Sequence, residues 1–110
     1  MAFRPLLASD DLWTGELRGF LLADRRVLLL RTDAGVFAYE DRCAHLGVPL
    51  SQGMLSGNVL TCRAHHHTYD ASTGLGINPR GARLNALPVR IENGVVSVDP
   101  EPAQFEGNDG

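Results

Sequence analysis

Two short segments of this 110-residue chain carry the side chains best suited to chemistry. The first is Cys43-Ala44-His45. The second, sixteen residues later, is Cys62-Arg63-Ala64-His65. Each offers one soft thiolate and one borderline imidazole, a donor set that suits transition metals. With four histidines in 110 positions, chance places two of them at these offsets with a probability on the order of 10⁻³. A zinc finger normally groups its cysteines together and its histidines together. Here the order alternates as Cys, His, Cys, His. A structural zinc-binding interaction module is allowed by the ligand types, but the order and the long gap oppose it. A nucleophilic Cys62 activated by His65 is a further reading, which ignores the matching Cys43–His45 pair.

The alternating order suits two hairpin tips that each give one cysteine and one histidine. If the tips face each other, both cysteines can hold one iron and both histidines a second. That is the arrangement of a Rieske [2Fe–2S] centre. The chain resembles Rieske ferredoxins in this Cys-x-His and Cys-x-x-His pattern. The segments Asp10–Glu16, Thr61–His65 and Gly74–Pro79 further resemble the ferredoxin component of toluene 4-monooxygenase-type systems, with similarity running to about Asp99.

The resemblance implies a β-sandwich with a smaller, loop-rich cluster-binding lobe. It implies one [2Fe–2S] cluster per chain, with Cys43 and Cys62 on the buried iron and His45 and His65 on the outer iron. It also implies a carrier rather than an enzyme. Single electrons would pass from an NADH-dependent flavin and iron–sulfur reductase to an oxygenase, either a di-iron aromatic or alkene monooxygenase or, alternatively, a Rieske ring-hydroxylating dioxygenase. Leu46, with Val48 and Pro49, would shield the cluster from water. The Tyr69 hydroxyl would donate to a ligating sulfur, as its counterpart does in high-potential Rieske proteins, and Pro79 would help close a third loop. His66 and His67 are read as bystanders or contact residues. A docking tip would centre on His45, Leu46, His65 and His66.

These side chains need a frame. Strand-like runs cover Glu16–Leu22, Val27–Thr32, Val36–Glu40, Val59–Thr61, Thr68–Asp70, Leu87–Glu92 and Val95–Asp99. Turn signals separate them. The strongest is Asn93-Gly94, because a two-residue type I′ turn needs two positions that tolerate positive φ. Ser9–Trp13 reads as one capped helical turn. No segment of ten or more residues keeps a helical period, so the chain is expected to be all-β and antiparallel. Residues 1–110 make one domain. The stretch from about 42 to 83 is rich in Gly, Pro and polar residues and would be the cluster-binding lobe. The tail from about 100 to 110 is expected to fray.

Apolar residues make up 44% of the chain, enough for a core. No apolar run approaches the roughly 20 residues of a membrane-spanning helix. Asp10 and Asp11 arrive before any long apolar stretch, so no secretory signal is expected and the compartment is read as cytoplasmic. The net charge is −3, all ten basic residues are arginine, and none cluster beyond Arg25–Arg26. That leaves no electrostatic footprint for nucleic acid. Two cysteines in a reducing compartment serve metal binding better than a disulfide. A carrier that must release its partner is expected to be a monomer.

Overall fold

Val27, Leu28, Leu29 and Leu30 are all fully buried, although neighbours along a strand point to opposite faces. A strand with that burial must lie inside a sheet covered on both sides. A computed structural model describes residues 3–22, 24–43, 48–63, 67–78 and 80–100, and it has this arrangement.

Eleven strands lie among the described residues: β1 (Arg4–Ala8), β2 (Leu17–Leu22), β3 (Arg25–Thr32), β4 (Gly35–Glu40), β5 (Met54–Ser56), β6 (Val59–Thr61), β7 (Thr68–Asp70), β8 (Gly76–Asn78), β9 (Ala86–Leu87), β10 (Val89–Glu92) and β11 (Val95–Val98). They form three sheets, in the orders β1-β11-β10, β2-β3-β4-β9 and β5-β6-β7-β8. Every pairing is antiparallel. The all-β expectation holds.

The central sheet separates two cores. On one face Val27 and Leu29 pack with Leu12, Ala38, Leu87, Val96 and Val98. On the other, Leu28 and Leu30 pack with Tyr39, Leu50, Leu60, Tyr69 and both cysteines. Each large apolar side chain sealed in this way contributes roughly 1.5–3 kcal/mol of transfer free energy. The small third sheet, residues 54–78, falls inside the stretch singled out for its loop-rich composition.

Asn93 and Gly94 have φ of 53° and 75°, as a type I′ turn between β10 and β11 requires. The helical turn expected at Ser9–Trp13 is shorter and tighter. Ser9–Asp11 form a 3-10 turn with no side-chain cap. The buried Leu12 ends it by anchoring in the second core. Residues 101–110, where fraying was expected, lie outside the described residues.

Candidate metal centre

Two strands of different sheets deliver the two cysteines. The central strand β4 ends at Glu40, three residues before Cys43, and β6 of the small sheet ends at Thr61, next to Cys62. A matching backbone hydrogen bond starts at each cysteine. The Cys43 N–H donates to the Val48 carbonyl at 2.7 Å, and the Cys62 N–H donates to the His67 carbonyl at 2.7 Å. Each bond spans five residues and closes a loop that begins with a cysteine and encloses a Cys-Ala-His or Cys-Arg-Ala-His segment.

Both thiols are sealed from water, with Cys43 2% and Cys62 0% exposed, and no disulfide joins them. They share one apolar cluster with Leu50, Leu60 and Tyr69, and the half-buried Val48 packs against it. The Tyr69 oxygen lies 3.3 Å from Cys43 Sγ. Pro49 and His67 are half-buried. His45, Leu46, His65, His66 and Pro79 lie outside the described residues. Among the described residues no three His, Cys, Asp or Glu side chains converge on one point.

Two thiols in an apolar pocket fit a metal–sulfur group. Burial alone disfavours the thiolate, and a cation is what makes a buried thiolate tolerable. The Tyr69 hydroxyl beside Cys43 supplies a donor that a ligating sulfur can accept.

Sequence reasoning did not single out Tyr39, which is 2% exposed in the same cluster. Its hydroxyl donates to the Ala71 carbonyl at 2.7 Å and joins β4 to the segment after β7. Its ring packs so closely over Gly74 that a β-carbon there would sit 2.8 Å from Tyr39 Cε1. Burial, helped by the nearby Asp70 carboxylate, pushes the Tyr39 hydroxyl from 10.0 up to about 12. The folded state therefore holds this proton more tightly than the unfolded chain. The associated stability is whole below pH 10 and is lost as pH climbs from 10 through about 12.

Comparison with known proteins gives this geometry a context. A family model described as "Rieske [2Fe-2S] domain" matches residues 2–88. The ferredoxin component of the alkene monooxygenase system of Xanthobacter autotrophicus strain ATCC BAA-1158 / Py2 is 38% identical over 101 residues. That match covers 91% of this chain and 83% of the relative. The ferredoxin component of the naphthalene 1,2-dioxygenase system of Pseudomonas putida is 27% identical and covers 84% and 90%. Among solved structures, a chain in the complex of reduced oxygenase and oxidized ferredoxin of carbazole 1,9a-dioxygenase superposes with a TM-score of 0.82. It is 27% identical, covering 90% of this chain and 94% of that one.

Proposed function

The chain belongs to the Rieske [2Fe-2S] domain family, and from that premise we propose that it is a one-electron carrier serving an oxygenase, with a di-iron aromatic or alkene monooxygenase as acceptor. The observation that carries this reading is the 38% identity with the alkene monooxygenase ferredoxin across most of both chains. The 27% identity with a dioxygenase ferredoxin keeps a ring-hydroxylating dioxygenase as the second reading.

In this reading Cys43 and Cys62 hold one iron of the cluster, and His45 and His65 hold the other. Bound there, the cluster supplies reversible one-electron chemistry. The rest is done by the chain. Leu50, Leu60 and Tyr69 keep water from the sulfur side. His45 and His65 would each keep a second nitrogen free to meet the partner, and Leu46 and Pro79 would help to cover the site. The region of about 42–83 acts as the cluster-binding lobe of a single domain spanning 1–110. A reductase driven by NADH fills the carrier, and the oxygenase empties it. The carrier acts as a monomer in the cytoplasm. No helix among the described residues is long and apolar enough to cross a membrane.

The test is direct. The purified protein should be red-brown, with two irons and two acid-labile sulfides per chain. After reduction it should give a rhombic EPR signal with an average g below the free-electron value. A colourless protein with one tightly held zinc overturns the assignment.

Tyr69 adds a quantitative check. A hydroxyl donated to a ligating sulfur stabilises the more negative, reduced state and raises the potential. Only the difference between redox states counts, so the effect is a fraction of the roughly 1.5–3 kcal/mol of a charged hydrogen bond, on the order of tens of millivolts. Tyr69→Phe should keep its cluster and show a potential lower by that amount in voltammetry. An unchanged potential would reduce Tyr69 to a core aromatic.

A further inference from the structure

Between them, four consecutive residues, Leu50 to Gly53, touch both cysteine-bearing segments, each by a different contact. Leu50 is fully buried in the apolar cluster that holds Cys43 and Cys62. Ser51 faces the first segment. Its backbone N–H donates to Asp41 Oδ1 at 2.8 Å, and its hydroxyl donates to Asp41 Oδ2 at 2.7 Å. Asp41 is 4% exposed and stands two residues before Cys43. Gln52 faces the second segment, where its Oε1 accepts from Arg63 Nη1 at 2.9 Å, one residue after Cys62. Gly53 lies against the carbonyl of Thr61, one residue before Cys62, with no room for a β-carbon between them.

β2 of the central sheet makes space for this junction. A β-carbon on Gly19 would sit 2.7 Å from Ser51 Oγ and 2.9 Å from Asp41 Oδ2. The carboxylate and the hydroxyl therefore fill the room that a larger residue at 19 would occupy. A buried carboxylate is costly unless its oxygens are satisfied. Both Asp41 oxygens are satisfied by one residue of the turn, so the turn cannot leave Asp41 without exposing that cost.

We propose that the turn Leu50–Gly53 is a non-covalent brace that fixes the separation of the Cys43 and Cys62 loops, with Asp41 and Ser51 as positioning residues for the metal centre. The proposal rests on the assignment of Cys43 and Cys62 as ligands. The two loops belong to different sheets. The Tyr39–Ala71 hydrogen bond and the shared core tie the two sheets together, and the turn adds contacts made directly to the residues flanking both cysteines. A metal centre shared between the loops converts any shift of one against the other into strain on its metal–sulfur bonds.

The experiment uses the intact, cluster-loaded protein. Ser51→Ala deletes the hydroxyl and leaves Asp41 Oδ2 without it. Gly19→Ala removes no polar atom and instead crowds the pair from the side of β2. Three quantities are compared with wild type: the rate of cluster release to a chelator, the EPR line widths of the reduced protein, and the thermal midpoint. Loss of a hydrogen bond to a carboxylate shifts an opening equilibrium by about ten- to a hundredfold. Both variants should release the cluster faster by such a factor, and their EPR features should broaden because the loop separation is no longer single-valued. Ser51→Thr, which restores a hydroxyl, should recover both readouts. Two results overturn the brace. One is a release rate and line width equal to wild type. The other is faster release that only follows a lower thermal midpoint, with line widths unchanged. Cys43→Ala and Cys62→Ala separate the two layers of the argument. If these retain the cluster, the ligand assignment fails; if they lose it while Ser51→Ala and Gly19→Ala behave as wild type, only the brace fails.

Discussion

Exchanging His65 for cysteine should lower the reduction potential by on the order of 100–200 mV, provided that the cluster assembles. The sign follows from charge. In the proposed ligand set two thiolates cancel the two positive charges of the oxidised core, and the neutral imidazoles add none. A third thiolate makes the oxidised site an anion, and adding an electron to an anion costs more than adding one to a neutral group. Potentials of about −150 to +300 mV for two-histidine sites, against about −400 mV for plant-type all-cysteine sites, bracket the effect, and one substitution takes part of that span. At 59 mV per tenfold change, the loss is roughly two to three powers of ten in the equilibrium constant for electron uptake. Voltammetry of the loaded variant reads it. A potential that stays put or rises would remove His65 from the ligand set, and His45→Cys provides the matching measurement on the first loop.

The constellation behind this expectation was legible because it is local. Cys43 and His45, and Cys62 and His65, are near neighbours in sequence, so spacing alone pairs them. The long strands were legible for a related reason. Val27–Leu30 is a short continuous apolar run with turn signals on both sides, as suits a strand covered on both faces, and Asn93-Gly94 fixes the last hairpin. The run Leu87–Glu92 reads as one strand but is two, β9 and β10, which lie in different sheets on either side of Pro88, and three further strands were not read. β1 contains Pro5, and its pairing with β11 shifts register between Pro5 and Leu7, so its alternation is broken. β5 and β8 are as short as β6 and β7 but poorer in β-branched and aromatic residues: β5 is Met54-Leu55-Ser56, and β8 opens on Gly76, ends on Asn78 and is interrupted by a register shift against β7.

The contacts around the centre were least legible because they join residues far apart in the chain. Nothing in the sequence links Asp41 with Ser51, Gln52 with Arg63, or Tyr39 with Ala71. Ser51 and Gln52 read as ordinary loop residues until the fold brings a buried carboxylate and an arginine to them. Tyr69 is intermediate. Its offset from His65 marked it, and the approach of its oxygen to Cys43 Sγ is a contact across 26 residues that only the fold could provide.

Gly53→Ala is expected to be the most damaging single-methyl addition in the described part of the chain. Its new β-carbon would be driven into the Thr61 carbonyl, with the Leu50 carbonyl another 3.2 Å away. Neither atom can move aside by changing a rotamer. Thr61 pairs with Met54 on one side and Thr68 on the other, so relief means prising β6 from the small sheet or lifting the turn off it. Overpacking of a side-chain core costs typically 1–3 kcal/mol, and a clash with backbone on both sides should reach at least about 3 kcal/mol. For a domain of this size that is a fall of about 10–20 °C in thermal midpoint. Gly57→Ala is the control. Gly57 is in the same hairpin with φ of +60°, and a β-carbon there meets nothing within 4 Å, so its cost is backbone strain alone, about 1 kcal/mol. Calorimetry on the two variants should therefore rank Gly53→Ala well below Gly57→Ala, although the glycine with the unusual backbone angle is the second of them. Equal midpoints would mean that the turn does not press on Thr61, and the contact between the 50–53 turn and the Cys62 strand would have to be redrawn.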